Sequence, residues 1–319
     1  MKKRIGIITP GGDSSGINAC IRAVTREAIL SGFEVYGLYH GYKGLLEGDI
    51  RKMSARSVGN IIQQGGTILR SSRCEEIKTE EGIRKAAGEL KKRGIGYLVV
   101  IGGDGSIRAA FRLSKFGIRT IGIPATIDND VYGTDETIGF DTAIDVAVDA
   151  IDKIRDTAQS FERIFIIEVM GKRHGFLALE IGLASGAEHI LIPEIPYNIN
   201  TLCNNLKRDK KKGKTSEIIV LAEGACDTTE LARRIEKCTG ISTRASILGY
   251  IQRGGAPTAR SRNLGTKFGS YAVGLIKKGI TNKVIVIKKG VVRHINLSST
   301  RRRKNIDKSL YATALRVAS

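Results

Sequence analysis

Three carboxylates stand at the ends of two consecutive strand-like runs. Asp104 lies in Gly102-Gly103-Asp104-Gly105, which closes the β-branched run of residues 97–101. Asp128 and Asp130 lie in Ala125-Thr126-Ile127-Asp128-Asn129-Asp130, directly after the run 119–124. In an open parallel sheet, ligands bind outside the carboxyl ends of the strands. Glycines there let the backbone approach a ligand, and the N–H groups that open the next helix attract an anion. Three carboxylates facing a phosphate would repel it unless a divalent cation came too, so the pattern expects Mg²⁺ together with phosphate. Each turn has a structural reading as well. Asp104 could cap a helix, and the Asp and Asn side chains of the second turn could bond their own backbone. The two turns together, at consecutive strand ends, favour the chemical reading.

The elements that must position these residues can be read in order. Residues 3–9 form a strand that runs into Gly11-Gly12-Asp13-Ser14-Ser15-Gly16 and a helix over 17–30. This is a phosphate-binding type of turn, but it is neither GxGxxG nor GxxxxGK[ST], so neither a dinucleotide site nor a P-loop is expected. Arg22 and Arg26 lie four apart on one face of that helix, either solvated or holding an anion. A strand over 34–39 leads to a loop with Tyr42, and Ser71-Ser72-Arg73-Cys74 is a small-residue turn. An amphipathic helix over 79–92 precedes the first aspartate turn. The apolar spacing of Ile107, Ala110, Phe111 and Leu113 places a helix between the two aspartate turns. Further along, helices are expected over 139–160, 176–185, 200–212, 229–238, 262–278 and 305–317. Strands are expected over 163–170, 190–192, 217–223 and 244–248, with a strand pair over 283–293. Strand and helix alternate, which argues for parallel sheets covered on both faces.

Composition narrows the classes. The chain has 319 residues and 41% hydrophobic content, enough to bury a sizeable core. No apolar run approaches the ~18 residues of a membrane span, and the start MKKRIGIIT enters a strand without a signal-peptide h-region. The five cysteines are scattered with no CxxC pair, so neither a disulfide framework nor a zinc site is expected, and a reducing, cytoplasmic setting fits. The net charge is +20, with the excess concentrated in KRDKKKGK (207–214) and RRRK (301–304). No aromatic residues interleave these runs and no nucleic-acid module surrounds them, so they read as solvated surface and no nucleic-acid partner is expected.

The segments GGD (11–13), SSRCEE (71–76), GGDG (102–105), TIDND (126–130), IGFDTA (138–143), RDTA (155–158), EVMG (168–171), AEG (222–224) and 244–255 follow one another in one order and spacing. Over essentially its whole length the chain resembles the bacterial-type ATP-dependent 6-phosphofructokinases. The resemblance implies an α/β fold of two Rossmann-like three-layer domains with the active site in the cleft between them. Residues 1–138 plus about 251–300 would form the larger, ATP-binding domain. Residues 139–250 plus about 301–319 would form the smaller, sugar-phosphate-binding one. It implies a glycolytic kinase that moves the γ-phosphoryl of Mg-ATP to the 1-hydroxyl of fructose 6-phosphate, releasing ADP, and that works as a cytoplasmic homotetramer.

By the same resemblance Asp128 is the base, supported by Asp130, with Thr126 and Lys172 on the transferring phosphoryl. Asp104 is the Mg²⁺ ligand. ATP would be held by Gly12, Tyr42, Arg73, Cys74, Gly102, Gly103, Asp104, Gly105 and Ser106. Fructose 6-phosphate would meet Thr126, Asp128, Asp130, Met170, Gly171, Lys172, Glu223, Tyr250 and Arg253, with Arg163 and Arg244 supplied by a neighbouring subunit. Arg22, Arg26, Arg155, Glu188, Lys212 and Lys214 match positions of an effector site for a nucleotide diphosphate or phosphoenolpyruvate. The chain departs from the family pattern at Lys172 (usually Arg), Tyr250 (usually His), Ala109 and Ala125 (usually Gly), Ser15 (Pro) and Ser261 (Asp). Pyrophosphate-using relatives carry Asp at Gly105 and Lys at Ala125, and this chain has neither, which favours ATP. A pyrophosphate-dependent enzyme and a catalytically impaired regulatory paralogue are the alternatives.

Overall fold

The computed structural model describes residues 3–318. In chain order the elements are β1 (Arg4–Ile8), α1 (Ile17–Leu30), β2 (Glu34–Leu38), α2 (Gly41–Glu47), β3 (Ile50–Met53), α3 (Glu80–Lys92), β4 (Ile95–Gly102), α4 (Asp104–Ser114), β5 (Arg119–Pro124) and α5 (Phe140–Ser160). Then come β6 (Ile164–Val169), α6 (Phe176–Ser185), β7 (His189–Leu191), α7 (Ile199–Lys211), β8 (Glu217–Ala222), α8 (Thr228–Thr239), β9 (Thr243–Ile247), α9 (Ala259–Lys277), β10 (Lys283–Lys288), β11 (Val291–Asn296) and α10 (Lys308–Val317). The chain divides into two units, Met1–Thr142 with Arg253–Lys304, and Ala143–Gln252 with Asn305–Ser319.

The first unit holds a seven-stranded sheet in the order β11-β10-β5-β4-β1-β2-β3. Strand alternation sorts its core onto two faces. Tyr97, Val99 and Ile101 of β4 join Ile5, Ile7, Ile121 and Ile123 under α1 and α9. Leu98 and Val100 face the other way, with Ile83 and Leu90 of α3 and Ile107 and Leu113 of α4. The central strands are parallel, but β2–β3 and β10–β11 pair antiparallel. The parallel sheet expected from the alternation is thus present, with an antiparallel strand added at each edge, one of them in the strand pair expected over 283–293. The hairpin at β10–β11 has a local cause: Lys289 and Gly290 both have positive φ (50° and 76°), as a type I′ turn requires.

α1 and α9 cross at close range because Gly265 and Gly269 carry no side chain there. A Cβ on Gly269 would lie 2.8 Å from both the Cys20 carbonyl oxygen and Ala23 Cβ. Gly269→Leu is expected to cost about 1–3 kcal/mol by forcing the helices apart. A lowered urea midpoint would show it, and an unchanged midpoint would mean the crossing can open freely.

The second unit holds a parallel four-stranded sheet, β7-β8-β6-β9. Leu202 and Leu206 of α7 and Leu231 and Ile235 of α8 pack on Ile164, Ile166, Ile219 and Leu221. Here the cysteine expectation is corrected. Cys203 of α7 and Cys238 of α8 form a disulfide, with Cα atoms 6.3 Å apart and a separation of 35 positions in sequence. Bridging depends on two helices lying side by side, which sequence spacing does not reveal. Cys20 is a buried thiol, and Cys74 and Cys226 are half-buried thiols. Among the described residues, no helix is long and apolar enough to cross a membrane.

Candidate active site

β4 and β5 are hydrogen-bonded neighbours whose register sets Gly102 beside Pro124, so the two aspartate turns leave the sheet side by side. The Ala125 N–H donates to the Gly102 carbonyl at 3.0 Å and ties them together. A Cβ on Gly103 would lie 3.4 Å from Thr126 Cβ, so the first turn backs onto the second. A Cβ on Gly105 would meet no atom within 4 Å, leaving clear space before the opening of α4.

The turn at 126–130 is held from several sides. The Thr126 N–H donates to the Ile138 carbonyl at 3.0 Å, and Thr137 Oγ1 donates to the Thr126 carbonyl at 2.6 Å. The Asp128 N–H donates to Thr126 Oγ1 at 3.2 Å, which leaves the threonine hydroxyl its own proton to donate outward. Asp128 is 3% exposed. Asn129 adopts φ +51°, a left-handed conformation that Asn tolerates better than most residues.

The turn after β1 joins the same site. Ser14 Oγ donates to the Ile138 carbonyl at 3.1 Å, and Ser15 Oγ donates to the Gly255 carbonyl at 2.8 Å. A Cβ on Gly12 would lie 3.9 Å from the guanidinium carbon of Arg253, so that cation stands over the glycine turn. Tyr42 is buried and donates to the Ser106 carbonyl at 2.9 Å, while Ser106 Oγ donates to the Pro10 carbonyl at 2.6 Å. These two side chains brace the turns from within. Arg73 is exposed and Cys74 half-buried. The Asp104 carboxylate pairs with Arg108 one helical turn on, at 2.8 Å.

In the second unit the carboxyl ends of β6 and β8 gather a second set. Met170 is buried, and its N–H donates to Gln252 Oε1 at 2.8 Å. Gly171 and Lys172 both have positive φ, 135° and 54°. Their N–H groups donate to Glu223 Oε1 at 3.2 and 2.6 Å, so Glu223 shapes the turn that presents Lys172. Tyr250 is 76% exposed in the short helical turn Gly249–Arg253.

Arg163 and Arg244 are not with them. Arg163 precedes β6 and stacks 4.4 Å from the Phe161 ring centroid; Arg244 sits opposite Phe165 near the start of β9 and pairs with Glu236 at 3.7 Å. At about 3.3 Å per strand residue, they lie roughly 20 Å from the Met170–Lys172 turn, at the other end of the same sheet.

The expected effector residues are partly gathered. Glu188 Oε1 pairs with Lys214 at 3.1 Å and with Arg155 at 3.7 Å, while its Oε2 accepts the Ile218 N–H at 2.7 Å. Glu188, Lys212 and Lys214 line a cavity of about 310 Å³ together with His189, Arg208 and Asp209. Arg22, half-buried, and Arg26, exposed, lie on α1 in the first unit.

Sequence reasoning missed the residues that hold the turns: Ser14, Thr137, Gln252 and Lys304. Ser14, Gln252 and Lys304 bond partners 124, 82 and 175 positions away, and Thr137 one 11 positions away across the turn, so no local pattern marks them.

A helix opening beside the buried Asp128, at neighbouring strand ends of a doubly covered sheet, is the arrangement of an α/β protein suited to a phosphate-bearing ligand. A family model described as Phosphofructokinase matches residues 4–276. The chain belongs to the phosphofructokinase family. It is 52% identical over 310 residues to the ATP-dependent 6-phosphofructokinase of Halalkalibacterium halodurans and equally to that of Shouchella clausii, with 97% of each chain covered in both cases. A phosphofructokinase structure from Saccharomyces cerevisiae superposes with a TM-score of 0.87 at 34% identity, covering 99% of this chain and 47% of the yeast chain. The chain thus spans about half the length of that yeast relative.

Proposed function

We propose that this protein is an ATP-dependent 6-phosphofructokinase, which transfers the γ-phosphoryl of ATP to the 1-hydroxyl of fructose 6-phosphate. The observation that carries the reading is the buried Asp128 with Thr126 at the end of β5, beside the clear space at Gly105 where α4 opens. Asp128 orients the sugar hydroxyl and takes its proton as the oxygen bonds to phosphorus and ADP leaves. Thr126 donates its hydroxyl proton to the transferring phosphoryl. Gly12, Gly103, Gly105 and Arg73 serve the ATP phosphates, with Asp130 supporting the base.

On the sugar side, Glu223 accepts hydroxyls while Met170 and Gly171 form the wall. Lys172, Tyr250 and Arg253 face the anionic groups. The placement of Arg163 and Arg244 at the far end of their sheet supports their service to a neighbouring subunit's site, in an assembly read as a homotetramer. Glu188, with Arg155, Lys212, Lys214, Arg22 and Arg26, is assigned to an anionic effector, a nucleotide diphosphate or phosphoenolpyruvate. The cytoplasm is the expected compartment.

The residues fit Mg²⁺. Mg²⁺ prefers hard oxygen ligands, and bound with ATP it needs only one or two carboxylates from the protein. Asp104, at the opening of α4, would hold it, and when bound the ion neutralises phosphate charge.

Lys172 keeps the cation of the family's usual arginine without its fork. Lys172→Arg is expected to leave kcat unchanged or raise it. A loss beyond about tenfold would show that the Glu223-held turn is built around an ammonium.

The reading is tested by fructose 1,6-bisphosphate formation with Mg²⁺, comparing ATP with pyrophosphate. Turnover with ATP alone supports it. Turnover with pyrophosphate would shift the donor assignment. Fructose 6-phosphate binding without turnover would favour a regulatory paralogue.

A further inference from the structure

We propose that Lys304 is a positioning residue for the aspartate turn 126–130, an inference that rests on the kinase reading above. The run 301–304 reads as solvated charge, and Arg301, Arg302 and Arg303 are indeed exposed, but Lys304 is half-buried. Its Nζ donates to the Asn129 carbonyl at 2.8 Å and to the Asp135 carbonyl at 3.3 Å. Asn129 stands between Asp128 and Asp130, in the left-handed conformation. Asn accepts that conformation more readily than most residues, but a single orientation of its peptide still depends on the groups that hold it. Two anchors are visible: the Lys304 ammonium on its carbonyl, and its own Nδ2 donating to the Asp135 carbonyl at 3.1 Å.

The ammonium is the stronger anchor, because a charge-assisted hydrogen bond exceeds a neutral one. By gripping the Asn129 carbonyl it fixes the peptide plane that joins Asn129 to Asp130, and with it the directions in which both carboxylates leave the turn. The other end of the grip is itself fixed. The Asp135 N–H donates to the Ile287 carbonyl of β10, and its carboxylate takes the Lys288 ammonium at 2.8 Å and the Lys289 N–H at 2.7 Å. Burial would raise the Asp135 carboxyl, yet Lys288, the Lys289 amide and the charge of Lys304 hold it below the usual range, so it stays ionised as an anchor. Lys304 is also the last residue of the first unit before the chain passes into the second at Asn305.

The test compares Lys304→Met, which keeps the bulk and loses the donors, with Lys304→Arg, which keeps the cation. For Lys304→Met, kcat at saturating substrates is expected to fall about 10–100-fold, the effect of displacing reacting groups by under an ångström. The KM for ATP should change by less than about threefold, because the glycine turns are untouched. Lys304→Arg should keep at least about a third of the parent kcat. A Lys304→Met kcat within about twofold of the parent overturns the proposal, as does a loss that Lys304→Arg shares in full. Thermal melting of each variant checks folding, and if Lys304→Met does not fold, Lys304→Gln is read by the same criteria. The parent is assayed alongside with ATP, so an inactive parent would count against the kinase reading, and an active parent with an active Lys304→Met against the positioning role.

Discussion

Asp128→Ser is expected to lower kcat by roughly 10²–10⁴-fold, the range that a positioned general base contributes. The effect should fall on kcat because the smaller, polar serine can still occupy the turn without a clash. The Asp128 N–H would still donate to Thr126 Oγ1, and the straps from Ile138 and Thr137 do not involve the side chain. Fructose 6-phosphate affinity should therefore change little. With only 3% of Asp128 exposed, bulk water has poor access to replace the lost carboxylate. Steady-state kinetics paired with equilibrium binding of the sugar phosphate would separate the two quantities. An unchanged kcat would remove Asp128 from the proton-transfer role.

Gly105→Asp is expected to raise the KM for ATP by about 100-fold or more, since a like charge set against a ligand costs several kcal/mol. The position has room for the side chain, as no atom lies within 4 Å of a Cβ there, so the variant should fold. The same openness is what the nucleotide is expected to use, and an aspartate would put volume and negative charge into it. Pyrophosphate lacks the nucleoside, so any turnover with it should suffer less. Comparing the two donors in parent and variant would measure the difference. If the KM for ATP did not move, the nucleotide would have to lie elsewhere than before α4.

The chemistry-bearing turns were legible because they are local. Gly102–Gly105 and Thr126–Asp130 each follow an apolar β-branched run, and β5 ends at Pro124 where the sequence reading ended it. α1 begins just after Gly16 and α6 ends just before Gly186, both with positive φ, so glycine marked their limits. α2 has the sequence of a loop, because Gly41–Glu47 is short, holds two glycines and offers only Tyr42, Leu45 and Leu46 as an apolar face. β3 carries the exposed Arg51 and Lys52 on a sheet edge and runs antiparallel, and strand direction has no sequence signature there. The RRRK run shows the limit most plainly. Four similar cations are indistinguishable by composition, and only the path of the folded chain turns Lys304 inward to the Asn129 carbonyl.

The interleaving of the two units bears on how the protein is made. β5 is flanked on one side by β4, but its other neighbour is β10, about 160 residues later in the chain. At ~5–20 residues per second, a ribosome needs roughly 10–30 s to supply it. For that time the nascent first unit has an unpaired strand edge lined by Ile121 and Ile123, and α1 lacks the helix that covers it. Other copies emerging on the same message would present the same edge. Vulnerability to aggregation is thus set by synthesis rather than by the finished fold, and a chaperone that shields β5 until α9 and β10 arrive would raise yield without changing stability.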